Sequence, residues 1–127
     1  RSFPFQIVFV DTEGWRRYDF IIVGENKGEI LNQVKDLAVY GMQNGETFDI
    51  TDWNDIPIGA AVFKYDPTNP EATKENKGWL HVGVYIGITE EYGYTIAAAA
   101  SKKDGVGYFP LTDEYTKWGY FNGVSYD

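Results

Sequence analysis

One segment of this chain has the apolar spacing of a helix, and strand-like segments dominate the sequence that follows it. Within residues 27–40, apolar side chains recur three or four positions apart, at Ile30, Leu31, Val34, Leu37 and Ala38. This spacing places them on one face of an amphipathic helix. Asn26 and Glu29 have the capping-box arrangement, so we expect them to cap the N-terminus. We expect Gly41 to end the helix with a left-handed backbone.

Seven other segments have the composition of β-strands, because they are rich in β-branched and aromatic residues and are bounded by turn residues. The first two are joined by the turn residues 11–14 and predict an N-terminal hairpin. The alanine run at 97–100 is assigned to a strand because Tyr94-Thr95-Ile96 precedes it. One helix and many antiparallel strands predict an α+β fold, with one main helix packed on a twisted antiparallel sheet. The predicted strands are residues 5–10, 18–23, 58–65, 79–88, 92–99, 106–110 and 118–124.

Length and charge narrow the classes of partner. The 127 residues fit a single domain, 1–127, with a buried core. Eleven Lys and Arg oppose 19 Asp and Glu, and the formal charge of −8 disfavours nucleic acid. No apolar run approaches the roughly 20 residues that span a bilayer, so we expect no membrane span. The absence of cysteine and the single histidine rule out thiolate and His-rich metal sites. We therefore expect no metal and no cofactor.

The single histidine, His81, lies in the predicted strand 79–88. Because side chains alternate along a strand, we expect Trp79, His81 and Tyr85 to share one face. The intervening residues, Leu80, Val82, Val84 and Ile86, would form the core face. Gly83 would leave room beside His81 for a neighbouring backbone or a ligand.

Four stretches of the C-terminal half resemble the NlpC/P60 family of papain-like cell-wall peptidases. They are IPIGAAVF at 56–63, HVGVYIG at 81–87, GVGYFPL at 105–111 and WGYFNGV at 118–124. The resemblance covers a little over half of the chain. It implies that residues 56–127 form a well-matched NlpC/P60-like sheet, whereas residues 1–55, the hairpin and helix, match the family poorly.

The resemblance also implies a catalytic triad, of which only the histidine carries over. In that family a cysteine attacks the peptide carbonyl, the strand histidine takes its proton, and a third polar residue orients the imidazole. Phe20 stands where the cysteine would be, and Ala97 stands near the orienting position. His81 would be a residual, inactive base. A serine nucleophile is disfavoured because Ser2, Ser101 and Ser125 lie in neither a Gly-x-Ser-x-Gly turn nor the start of the helix.

The favoured hypothesis is a catalytically inactive NlpC/P60-like domain. It would bind a peptide, a peptidoglycan fragment or a protein partner in a groove lined by Trp79, His81 and Tyr85. One alternative is a cell-wall peptide hydrolase whose cysteine is absent from this chain. Another is a non-enzymatic structural or carbohydrate-binding protein of a phage particle or cell surface. These hypotheses favour a secreted, cell-surface or phage-associated location.

The acidic cluster at 49–55 and the many aromatic residues each allow a structural as well as a functional interpretation. Asp49, Asp52, Asn54 and Asp55 offer oxygen ligands for calcium, but the EF-hand glycine and distal glutamate are absent, so a capped turn is favoured. Among the 22 aromatic residues, some are assigned to the core and others to the surface. We expect Phe5, Phe9, Phe63 and Phe109 in the core. Trp15, Trp53, Trp79 and Tyr85 are left as surface candidates.

Overall fold

The computed structural model describes residues 5–6, 21–22, 27–100 and 105–126. Within them, one α-helix, α1, spans Lys27–Tyr40. The strands are β1 (Phe5–Gln6), β2 (Ile21–Ile22), β3 (Phe48–Asp49), β4 (Ala61–Tyr65), β5 (Trp79–Thr89), β6 (Gly93–Ala100), β7 (Gly105–Pro110) and β8 (Lys117–Gly119).

In the described part of the chain, six strands form an antiparallel sheet with the order β3-β8-β4-β5-β6-β7. The predicted α+β class is therefore confirmed. Strands β1 and β2 pair separately, with Phe5 opposite Ile22, as expected for the N-terminal hairpin. The other residues of the two predicted hairpin strands, among them Phe9, lie outside the described residues, as does Trp15.

Helix α1 has the bounds predicted from its apolar spacing, and Val34 and Ala38 are buried against the sheet. Asn26 and the side chain of Glu29 lie outside the described part of the structure. Gly41 directly follows the last helical residue as predicted, but the expected left-handed backbone was wrong, because its φ is not positive. Glycine is required there for a steric reason: a Cβ would lie 2.5 Å from Leu37 Cδ1 and 2.8 Å from its carbonyl oxygen.

The sheet has a covered face on each side. Helix α1 covers the first, where Phe63, Val82 and Val84 are buried. Side chains from the connecting segments cover the second, where Leu111 and Tyr115 pack on Val62 and Ile96. We refer to these as the helix face and the loop face. Phe63 is thus core as predicted, and Phe109 is partly buried on the loop face.

Most predicted strands are present with shifted ends. Strand β4 begins at Ala61 rather than at residue 58, because a turn precedes it: Gly59 has a φ of 91° and Ala60 N donates to Pro57 O. Strand β8 ends at Gly119, and the chain beyond it makes one further bridge, between Phe121 and Met42. The alanine run 97–100 lies in β6 as expected. The two-residue strand β3 was not predicted, because it is too short to show periodicity.

The polar loop between β4 and β5 is held together by Asn76, whose side chain is buried. Its Oδ1 accepts from Thr73 N at 3.0 Å and from Gly78 N at 2.8 Å, while its Nδ2 donates to Glu71 O at 3.0 Å. Gly78 N and O are both engaged, since Asp66 N donates to Gly78 O at 2.9 Å. A buried side-chain amide with several backbone partners in this way holds a loop in one path.

Candidate functional site

His81 lies on β5 directly opposite Lys64 of β4, on the loop face of the sheet. Its ring centroid is 6.3 Å from that of Tyr115, in the segment between β7 and β8. The imidazole is mostly enclosed but retains partial exposure. Helix α1 lies on the other face, so the sheet separates His81 from the described part of the helix.

The environment of His81 keeps its imidazole neutral. Burial lowers its pKa from 6.5 to about 4, and the positive charge of Lys64 acts in the same direction. Among the described residues, none hydrogen-bonds to the imidazole or pairs with it as an ion. A general base works best when its pKa is near the ambient pH and a partner orients it. His81 meets neither condition at neutral pH.

Ala97, which stands near the orienting position that the resemblance implies, is on the other face of the sheet. Ala97 pairs with Val84 and is buried in the helix-face core. The neighbouring β6 residue that faces the loop side is Ala98, opposite Gly83, and it too lacks an acceptor. Neither alanine can accept the imidazole proton, and the alignment of this position with the family stays a prediction. Phe20, the expected equivalent of the cysteine, lies outside the described residues.

The predicted common face holds for His81 and Tyr85 but is wrong for Trp79. Lys64 is opposite His81 and Tyr65 is opposite Trp79, so Leu80 is an extra residue on β5. Such a bulge reverses the alternation of side chains. Trp79 therefore packs on the helix face, with its ring centroid 5.3 Å from that of Phe63.

Tyr85 is on the same face as His81 but is a core residue. Only 5% of its surface is exposed, and it lies in the loop-face cluster with Ile96 and Tyr115. Burial raises the pKa of its phenol. The space beside Gly83 is also filled, because a Cβ there would lie 3.1 Å from Ala97 O. Trp79, His81 and Tyr85 consequently do not line a common groove.

A different concavity lies next to His81, at the adjoining ends of β4, β5 and β8. Its volume is about 490 Å³. It shares Lys64 with the surroundings of His81, and Leu80, displaced by the bulge, forms part of its wall. We call it the strand-end groove. Its lining residues are Asp49, Lys64, Tyr65, Asp66, Pro67, Asn69, Leu80, Asp113, Glu114, Thr116 and Lys117.

Both lysines of the strand-end groove are held by partners on two sides. Lys64 Nζ is 3.7 Å from Glu114 Oε2 and lies 5.3 Å from the centre of the Tyr115 ring. Lys117 Nζ pairs with Asp49 Oδ1 and lies 5.7 Å from the centre of the Tyr65 ring. Ion pairs combined with cation–π contacts restrict these otherwise flexible side chains. The groove therefore has two lysines along its walls, each with a carboxylate and an aromatic ring nearby.

Two further carboxylates give the groove an acidic excess. Asp66 accepts from Thr68 N at 3.0 Å and from Thr68 Oγ1 at 2.7 Å, and these bonds lower its pKa. Asp113 is exposed at the rim, and within the described ranges no cation pairs with either carboxylate. The groove thus combines both charge signs with the apolar surface of Pro67 and Leu80. Sequence reasoning missed it because its walls come from four separate segments of the chain.

The acidic residues at 49–55 form a capped turn, as favoured from the sequence. Asp52 Oδ1 accepts from Asn54 N at 2.9 Å at the start of a short 3-10 turn. Asp49 is engaged with Lys117, and Asn54 Oδ1 accepts from Tyr94 Oη at 2.6 Å. Within the described ranges, no cluster of three or more acidic, histidine or cysteine side chains is arranged to hold a metal ion. The described helix is also too short and too polar to cross a membrane.

Comparisons of the chain with family models, with curated proteins and with solved structures gave no match.

Proposed function

We propose that this chain is a catalytically inactive NlpC/P60-like domain that binds a peptide, a cell-wall fragment or a protein partner. The main support is the state of His81, a neutral imidazole without an orienting partner beside a groove that is open to solvent. A thiol nucleophile is missing from the entire sequence. Binding without cleavage accounts for both observations.

The strand-end groove is the best-supported place for the ligand. Its volume of about 490 Å³ lies within the range of roughly 300–1,000 Å³ that small-molecule sites occupy. A peptide carries charged termini, polar amides and apolar side chains, and the groove offers complementary groups for each. Lys64 and Lys117 suit carboxylates, Asp66 and Asp113 suit amines, and Leu80 offers apolar surface.

Binding can be tested with two probes: soluble muropeptides from a Gram-positive cell wall and a random-sequence peptide library. We expect saturable binding by the intact chain, weakened about tenfold or more by Lys64→Ala combined with Leu80→Ala. The matched control is Lys74→Ala, which removes an exposed lysine outside the groove. Binding that the groove variant leaves unchanged would place the ligand elsewhere and contradict the proposed site.

Hydrolysis is measured on the same probes by mass spectrometry. We expect no cleavage by the wild-type chain. Cleavage that His81→Ala abolishes would overturn the inactive assignment and favour the hydrolase alternative.

A further inference from the structure

Two isoleucines are exposed at the end of the sheet opposite the strand-end groove. Strand β5 runs from that groove, which Leu80 lines, to Ile88, whose surface is 68% exposed. Ile58, 52% exposed, lies in the turn before β4, and a Cβ on Gly87 would lie 3.3 Å from its Cδ1. Ile58 is therefore beside the residue that precedes Ile88. Single exposed apolar residues are ordinary, whereas adjoining ones form the patches that mark interaction surfaces.

Two aromatic side chains continue this apolar surface on the loop face. Tyr94 is paired directly opposite Ile88, so the two side chains project from the same face of the sheet. Trp53 packs on Tyr94 with ring centroids 5.2 Å apart, and both residues remain partly exposed. Tyr94 Oη donates to Asn54 Oδ1 at 2.6 Å, which holds the turn of Trp53 against the sheet. We call Ile58, Ile88, Tyr94 and Trp53 the end patch.

The charged side chains that adjoin the end patch are carboxylates. Glu90 and Glu91 lie in the turn after β5, Asp52 and Asp55 lie on either side of Trp53 in sequence, and all four are exposed. Among the described residues, none of the four forms an ion pair with a lysine or arginine. The segments that build this end of the sheet, 46–63, 82–100 and 105–116, contain no lysine and no arginine. An apolar surface is thus flanked by negative charge.

We infer that the end patch binds a segment of a partner protein that carries both basic and apolar side chains. Apolar side chains of the partner would cover Ile58 and Ile88, and its lysine or arginine side chains would pair with the flanking carboxylates. Complementary charge of this kind sets the choice of partner and the rate of encounter. Aromatic residues such as Trp53 and Tyr94 are enriched in protein interfaces.

The same negative charge argues against two other occupants of the end patch. In a symmetric dimer, a second copy of this chain would place Glu90, Glu91, Asp52 and Asp55 near their own equivalents. An anionic membrane surface would be repelled by the same four carboxylates. The end patch shares no residue with the strand-end groove, so this inference does not depend on the proposed function.

The test is an NMR titration of the intact chain at low ionic strength with a synthetic peptide of alternating lysine and leucine. One analogue has glutamate in place of lysine, and the other has serine in place of leucine. We expect the lysine–leucine peptide to shift the methyl signals of Ile58 and Ile88 saturably, and neither analogue to do so. Ile58→Ser combined with Ile88→Ser should weaken binding about tenfold or more. Val39→Ser, which removes an exposed aliphatic side chain from α1, is the matched control and should have no effect.

The contribution of charge is tested separately. Glu90→Gln combined with Glu91→Gln should weaken binding of the lysine–leucine peptide and make it less sensitive to salt, because screened ion pairs are removed. Glu71→Gln combined with Glu75→Gln changes the net charge equally, in the loop at the other end of β4 and β5, and should leave binding unchanged.

The inference is overturned if the lysine–leucine peptide leaves the Ile58 and Ile88 signals unshifted, if the shifts map to Leu80 and the strand-end groove instead, or if the glutamate analogue binds equally well. Shifts at Ile88 on concentrating the chain alone would assign the patch to a second copy and overturn it as well. Shifts with phosphatidylcholine vesicles alone would assign it to lipid, with the same consequence. Mapping on the wild-type chain needs no variant, so it decides the question even if the double serine variant fails to fold.

Discussion

Lys64 and His81 face each other across β4 and β5, and the cation of one opposes protonation of the other. Lys64 is itself held between Glu114 and the ring of Tyr115. The pair connects the enclosed imidazole to the wall of the strand-end groove. Burial, the larger cause, and the charge of Lys64 together make this imidazole unsuited to proton transfer at neutral pH.

The titration of His81 can be measured directly, because it is the only histidine in the chain. We expect its imidazole NMR signals to report a pKa of about 4 in the folded protein. Lys64→Gln removes the neighbouring charge and should raise that pKa, with burial keeping it below 6.5. Lys117→Gln, at the other wall of the groove, serves as the control and should leave it unchanged. A wild-type pKa near 6.5 would contradict the described burial.

The same shift predicts how stability depends on pH. The pKa of His81 is lower in the folded chain than in the unfolded chain, so the unfolded state binds the proton first. Relative to a His81→Gln variant, the free energy of unfolding should therefore fall as the pH drops from 6.5 to about 4, by at most about 3 kcal/mol. Urea denaturation of both proteins at pH 7 and pH 4 measures the difference. Equal changes in the two proteins would exclude this contribution.

Substitutions at Gly78 and Gly93 can separate two costs of adding a side chain: a steric clash with neighbouring atoms and strain of a left-handed backbone. Both have positive φ, 93° and 69°, but a Cβ on Gly78 would lie 2.6 Å from Pro67 Cα, whereas a Cβ on Gly93 would meet no atom within 4 Å. Gly93→Ala should cost about 1–2 kcal/mol of stability through backbone strain alone. Gly78→Ala should cost clearly more, because the backbone at Pro67 must move. Similar losses in chemical denaturation would show that the close approach to Pro67 is absent.

Asn76 should contribute more to stability than a loop asparagine usually does. Asn76→Ala removes three hydrogen bonds, one of them buried and two part-buried, and leaves Gly78 N and Glu71 O without this partner, so we expect a loss of about 2–4 kcal/mol. Asn69→Ala is the matched control, because its Oδ1 accepts one bond, from Glu71 N, and should cost below about 1 kcal/mol. Thermal and urea unfolding measure both. A small loss for Asn76→Ala would refute its role in closing the loop.

Features specified by local sequence were predicted well. The bounds of α1 followed from the spacing of its apolar residues, and the alanine run joined a strand because of the residues before it. Trp79 was predicted on the wrong face of the sheet because of the bulge at Leu80. This bulge arises from the pairing of β5 with β4, and it cannot be recognised from the alternation of residues along β5 alone. The second covered face was also missed, since Leu111 and Tyr115 come from a segment without periodicity.

The candidate site was predicted less well for the same reason. His81 could be singled out as the only histidine, but its neighbours Lys64 and Tyr115 are 17 residues before it and 34 residues after it in sequence. Tyr85 was left as a surface candidate although it is buried. The alternation along β5 showed that Tyr85 faces away from the helix-face core. It could not show that the connecting segments cover the opposite face of the sheet.

The segment 111–116 contributes both to the loop-face core and to the lining of the strand-end groove. It inserts Leu111 and Tyr115 into the interior and exposes Asp113 and Glu114 at the groove. The amide of Thr116 also donates to Phe63 O, in the centre of the sheet. A ligand that clamps the exposed side chains would therefore slow hydrogen–deuterium exchange at Thr116 and at neighbouring amides of β4. Ligand binding at the surface would therefore be detectable as slower amide exchange in the interior of the sheet.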